Sequence, residues 1–280
     1  MRCAWADYLK LLPQWMQRDV DELGRNDLQE LRLRLDGLPE LILGGRSCWL
    51  SRPVSMEDLH TIINWASQYS PWAAATIRNG YITAQGGHRI GLCGEAVVNN
   101  GSMTGIRTPT SLCLRVARDY PGIAKGAAAY SGSVLILGRP GSGKTTLLRD
   151  FIRQRSDGGN GAISVIDERG ELFPMVKGKS CFPAGKRTDI MTSCEKKEGI
   201  HVLLRTMSPS CIAVDEITDQ QDCDALYAAG WCGVTLLATA HATDKQDLLS
   251  RPVYQPIVTG KLFDTLLIMQ PDKSWRAERM

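Results

Sequence analysis

Residues 134–150 read "VLILGRPGSGKTTLLRD". Four apolar residues, suited to a buried strand, lead into a glycine-rich stretch and then into a helix-forming one. Gly138, Arg139, Pro140, Gly141, Ser142, Gly143, Lys144 and Thr145 fit the pattern GxxxxGK[ST]. Glycines at these places let successive backbone N–H groups curve around a phosphate that a Cβ would obstruct. A helix starting near Gly143 aims its positive end at the same anion. Lys144 adds a point charge, expected to be a solvated cation when no nucleotide is bound. The Thr145 hydroxyl is a ligand for Mg²⁺, and Thr146 completes the nucleotide-binding run. Chance alone gives the pattern in about one chain in a hundred of this length. A chance match would not also carry a strand before it and a helix after it. The loop is read as a site for ATP with Mg²⁺.

Further along, "CIAVDEI" (211–217) is a second apolar strand, ending in acid. Asp215 is expected to hold Mg²⁺ through water, and Glu216 to polarise the attacking water. A third such strand, "AISVIDERGEL" (162–172), carries Asp167, Glu168 and Glu171, and "LLATAHA" (236–242) ends in His241. Ligands of a parallel sheet sit at the carboxyl ends of its strands. Asp167, Glu168, Asp215, Glu216 and His241 are therefore expected to converge on one γ-phosphate. The base would be Glu216 or an acid of the 167–168 pair.

From residue 133 onward, short apolar strands alternate with helical segments, the pattern of a mainly parallel sheet clothed by helices. Residues 1–120 differ. "LQELRLRLDGLPELIL" holds two alternating stretches around the turn-forming Asp36-Gly37 and Pro39. "SMEDLHTIINWASQYS" opens with the capping candidate Ser55, followed three residues later by Asp58, and its apolar residues fall at helical spacing. Tyr81 to Arg118 reads as strands, with a turn at Asn99-Asn100-Gly101. The expected layout is a smaller mixed α+β domain (1–120), a linker (121–132) and an α/β P-loop NTPase domain (133–280).

Composition sets limits. The net charge is only +3, with 43% hydrophobic and 22% charged residues, so nothing requires a nucleic-acid partner. No basic stripe with interleaved aromatics supports one either. Nine cysteines are present without a CxxC pair, which reads as reduced thiols of a cytosolic protein rather than a zinc module. The N-terminal stretch lacks the unbroken apolar core of a signal peptide. No run of about 18 apolar residues offers a membrane span.

Taken together, "AISVIDERGEL", "LLRTMSPSCIAVDEI" and "ALYAAGWCGVTLLATAHA" resemble the type II/IV secretion ATPase family of RecA-like motors. "DLQELRLRLDGLPELILGG", "GHRIGLCGEA" and "LCLRVAR" extend the likeness into the first half. A narrower likeness to a sporulation-associated branch rests on "GGHRIGLCGEAVV", "DERGEL", "GKRTDI" and "RTMSPSCIAVDEI". The resemblance implies an ATP-hydrolysing motor of RecA-like fold, working as a hexameric ring. It would be cytoplasmic and peripheral to a membrane-embedded secretion or channel complex between mother cell and forespore. The sequence also departs from the family. Asp215 stands where many members have only the glutamate, and "ITDQQD" after Glu216 lacks the expected Gly-Arg.

A ring is also a way to supply arginines, which are worth on the order of 10³–10⁵ in rate when they meet charge on the γ-phosphate. Candidates are Arg89, Arg115, Arg169, Arg187 and Arg205. Arg89 and Arg115 match strand arginines that, in the resembled family, reach the neighbour's nucleotide. The competing readings are a P-loop kinase or other nucleotide-dependent enzyme, a nucleotide-binding scaffold, and a DNA-working RecA-like motor. A kinase would need an arginine-bearing lid, which the sequence does not show.

Overall fold

A computed structural model describes residues 1–68, 80–99, 101–159 and 161–280. Asn100, in the expected turn at 99–101, lies outside the described residues, as do the last two residues of "SMEDLHTIINWASQYS". The chain forms two compact units. One comprises Met1–Asp119 with Met175–Cys181, the other Tyr120–Pro174 with Phe182–Met280.

The first unit is built on an antiparallel sheet of six strands: β1 (Leu28–Arg34), β2 (Glu40–Leu43), β3 (Arg46–Trp49), β4 (Tyr81–Thr83), β5 (Arg89–Asn99) and β6 (Ser102–Arg115), in the order β3-β2-β1-β6-β5-β4. Alternation chooses the faces. Leu31 and Leu33 of "LRLR" are buried with Leu41, Leu112, Leu114 and Ile90, while Arg32 and Arg34 take the other side. Tyr8, Leu12 and Met16 from the N-terminal helices and Leu59 and Ile62 from the helix Met56–Ser67 join this core. Ser55 and Asp58 make the reciprocal capping box expected of them. A two-strand hairpin, β9 (Met175–Val176) and β10 (Lys179–Ser180), is contributed from the second half of the chain.

The second unit is an α/β unit around seven strands: β7 (Val134–Leu137), β8 (Ile163–Asp167), β11 (Thr188–Thr192), β12 (Cys211–Ile217), β13 (Thr235–Ala240), β14 (Thr265–Met269) and β15 (Trp275–Arg279). Their order is β11-β8-β12-β13-β7-β14-β15, parallel throughout except for the last pair. β7 and β8 are buried at every residue, as strands covered on both faces must be. The helix Lys144–Gly158 buries Leu147, Leu148, Phe151 and Ile152. Residues 120–133 pack within this unit: buried Asp150 accepts the N–H groups of Gly122 and Ala124 at 2.9 and 2.8 Å. The second unit thus has the mainly parallel α/β fold expected for residues 133–280, and the first is a mixed unit with an antiparallel sheet.

Candidate functional site

Sheet order gathers the site. β13 lies between β12 and β7, so His241, just after β13, sits between Lys144 beyond β7 and Glu216 on β12. Its Nδ1 is 3.1 Å from Lys144 Nζ and its Nε2 is 2.8 Å from Glu216 Oε1. A lysine ammonium only donates, so it makes Nδ1 the acceptor and puts the imidazole proton on Nε2, where it is given to Glu216. Glu216 Oε2 in turn lies 3.2 Å from Arg169 Nη1.

The loop itself has the conformation that the glycines predict. Gly141 and Gly143 have φ of +73° and +101°, where a side chain would be strained. Gly143 is the N-cap of the following helix and offers it no side-chain cap, leaving first-turn N–H groups for an anion. Ser142 Oγ is buried without a hydrogen-bond partner. Arg139 and Pro140 are exposed, Gly138 is buried, and Thr146 is half-buried. Lys144 is not the solvated cation expected. It is 6% exposed, and Nζ donates to Arg139 O at 3.0 Å as well as facing His241. Burial lowers its pKa, against the pull of Asp215 and Glu216.

Thr145 Oγ1 donates to Asp215 Oδ2 at 2.8 Å, and Thr239 Oγ1 donates to Asp215 Oδ1 at 2.7 Å. Burial raises the pKa of Asp215, the two hydroxyls oppose this, and Glu171 and Glu216 add to it. A hydroxyl and a carboxylate side by side are hard oxygen donors of the kind Mg²⁺ takes. Among the described residues no group of three or more His, Cys, Asp and Glu could hold a metal.

The two earlier acids are engaged differently. Asp167 is 2% exposed and clamps the turn that follows it, accepting Glu171 N–H on Oδ1 at 2.9 Å and Phe173 N–H on Oδ2 at 2.7 Å. Burial still leaves its pKa raised. Glu168 Oε2 accepts from Lys196 Nζ at 2.8 Å. Glu216 has φ +54° inside a strand, at a break in the β12–β13 register. Its N–H is held by Thr239 Oγ1 at 2.8 Å. Such a backbone position costs on the order of 1–3 kcal/mol and clusters at functional sites.

Arg187 is not brought to this group. It precedes β11, at that strand's amino end, and its Nη1 donates to Ser156 O at 3.1 Å near the far end of the helix Lys144–Gly158. Arg205 is exposed on the helix Lys196–Thr206. Arg89 and Arg115 belong to the first unit, where they are register partners across β5 and β6. Arg89 lies over the Tyr81 ring at 4.0 Å, and Arg115 Nε is 3.2 Å from Glu30 Oε1. Sequence reading missed Thr239, Lys196 and Tyr254, whose hydroxyl accepts His241 N–H at 3.2 Å. Thr239 stands in "LLATAHA" two residues before His241, the one signal that pointed its way.

Among the described residues no helix is long and apolar enough to cross a membrane. The family model for sporulation stage III, protein AA, matches residues 10–277. Stage III sporulation protein AA of Bacillus subtilis (strain 168) is 35% identical over 271 residues, spanning 92% of this chain and 88% of that one. Two solved structures share the fold. The pilus retraction motor PilT with bound ADP superposes at a TM-score of 0.61, with 15% identity over 90% of this chain and 76% of that one. The ATPase DotB of Legionella pneumophila superposes at 0.55, with 17% identity over 96% of this chain and 80% of that one.

Proposed function

The chain belongs to the sporulation stage III, protein AA, family, and from that premise we propose that it is an ATP-hydrolysing motor of the secretion-ATPase type. The observation that carries this is the Lys144–His241–Glu216 chain beside the Thr145–Asp215 pair, all at the carboxyl ends of adjacent parallel strands. The glycine loop and the uncapped helix would hold the phosphates, with Lys144 turning from Arg139 O and His241 to meet them. Thr145 and Asp215 would hold Mg²⁺, which supplies Lewis-acid charge to the phosphate oxygens.

Three acids could take the proton of the attacking water, and the geometry favours one. Both oxygens of Asp167 are occupied by backbone N–H groups, and Glu168 is paired with Lys196. Glu216 differs in its place: it follows Asp215 directly, it lies in the chain that His241 extends to Lys144, and His241 Nε2–H and Arg169 aim its two oxygens. Glu216 is thus the base, and His241 its orienting donor. Arg169 acts within the chain. Arg89 and Arg115 are assigned to the nucleotide of a neighbouring subunit, with the working form a hexameric ring. Such a ring would sit against membrane-embedded channel proteins between mother cell and forespore, on the mother-cell side.

The test is Glu216→Gln. ATP affinity should stay within a few-fold of wild type while turnover falls by at least about tenfold, because the amide keeps the shape and cannot accept the proton. Normal hydrolysis by this variant would reject the assignment. Phosphate appearing on a co-substrate instead of in solution would favour a kinase.

A further inference from the structure

Lys196 opens the helix Lys196–Thr206, only 7% exposed. This is an unfavourable place for an ammonium. The first turn of a helix repels cations, and burial removes water from the charge. A leucine or methionine would fill the volume without either cost. The charge is held by two carboxylates from different elements. Nζ lies 2.8 Å from Glu168 Oε2, one residue past β8, and 3.1 Å from Asp222 Oδ2 in the helix Gln220–Trp231. The same Asp222 oxygen accepts Thr218 N–H at 2.9 Å and Thr218 Oγ1 at 3.0 Å. Thr218 comes two residues after Glu216. Burial pulls the lysine's pKa down, yet its contacts with Glu168 and Asp222 carry it above the ordinary lysine value. The result is one cation tying the acid-bearing end of β8 to the turn that leaves β12.

We propose that Lys196 is a positioning residue. It fixes the Glu168 turn and the Thr218–Asp222 turn against each other, holds Glu168 as a paired anion, and so leaves Glu216 in place to take the proton. Buried ion pairs often add little net stability, but removing one partner strands the others, so the effect should be local. The assignment of a role in turnover rests on the ATPase reading above. The fixing of the two turns does not.

The experiment uses the full chain with Lys196→Met, Lys196→Arg and Asp222→Asn. Peptide-resolved hydrogen exchange without nucleotide should rise about tenfold over residues 215–222 in Lys196→Met and stay near wild type in β7 and β14. Turnover should drop about tenfold or more with ATP affinity within about threefold, and Lys196→Arg should recover most of it. Adding Glu168→Gln to Lys196→Met should cost nothing further, since the two act as one unit. Unchanged exchange at 215–222 would overturn the proposal. So would a uniform rise in all peptides with parallel loss of ATP affinity, or an additive double variant. If Lys196→Met does not fold, Asp222→Asn decides by the same exchange readout. A wild-type protein that never hydrolyses ATP would remove the ATPase reading, while the exchange result would still judge the fixing of the turns.

Discussion

Thr239→Val probes the centre of the site with almost no change in volume. Thr239 is fully buried on β13 and bridges two strands. Its hydroxyl donates to Asp215 Oδ1 at 2.7 Å and accepts Glu216 N–H at 2.8 Å. Valine keeps the branched shape and removes both bonds. A hydrogen bond to a charged group contributes about 1.5–3 kcal/mol, and a buried N–H left unsatisfied costs about 1–3 kcal/mol. Some of this returns, because Glu216, once untethered, can leave its φ of +54°. A net loss of about 3 kcal/mol is expected for the second unit. With a urea dependence of about 1–3 kcal/mol per molar, that moves the midpoint down by about 1 M or more. Thr239→Ser is the control. It keeps the hydroxyl and loses one methyl, worth about 1 kcal/mol. Urea unfolding, followed by hydrogen exchange in β12 and β13, should rank wild type above serine and serine above valine. The valine variant should also turn over ATP more slowly than the serine variant, since Asp215 and Glu216 both lose their anchor. A valine variant as stable as the serine one would refute the bridging role.

Two further perturbations have defined outcomes. If Arg115 serves a neighbouring subunit, Arg115→Ala should bind ATP nearly normally yet hydrolyse it poorly. Mixing it with Glu216→Gln subunits should then restore part of the activity, and wild-type turnover per subunit should rise with concentration. Concentration-independent turnover with no rescue would reject an arginine acting between subunits. In the first unit, His88 is fully buried, accepts Ala117 N–H on Nδ1 at 3.1 Å and gives its one N–H proton, on Nε2, to Ala4 O at 3.0 Å. Burial lowers its pKa, so the neutral form is the folded one. Its contribution is complete above the unfolded value of about 6.5 and is lost as pH falls through the lower folded value, by up to about 1.4 kcal/mol per pH unit. Exchange of residues 1–8 between pH 7 and 5 should show this loss in wild type and not in His88→Gln.

Much of the site was legible because its residues travel in short local runs. The backbone path of residues 138–145 is set by its own glycines, so one stretch of chain specifies the candidate phosphate loop wherever it falls. Asp215, Glu216 and His241 were legible for a related reason, since apolar strands ending in polar residues declare which end of a sheet they occupy. Strand order was not legible, because hydrogen bonds between distant strands leave no local trace. That order alone seats His241 between Lys144 and Glu216 and turns a separate lysine, histidine and glutamate into a connected chain. Only the folded chain shows which acids are already engaged: Asp167 by the turn that folds back on it, Glu168 by a lysine 28 positions away. The same holds for Lys144, which the pattern alone casts as a solvated cation and the packed sheet buries. The hairpin at 175–180 groups with the first unit although the chain reaches it from the second, because contacts between segments far apart in sequence leave no local trace.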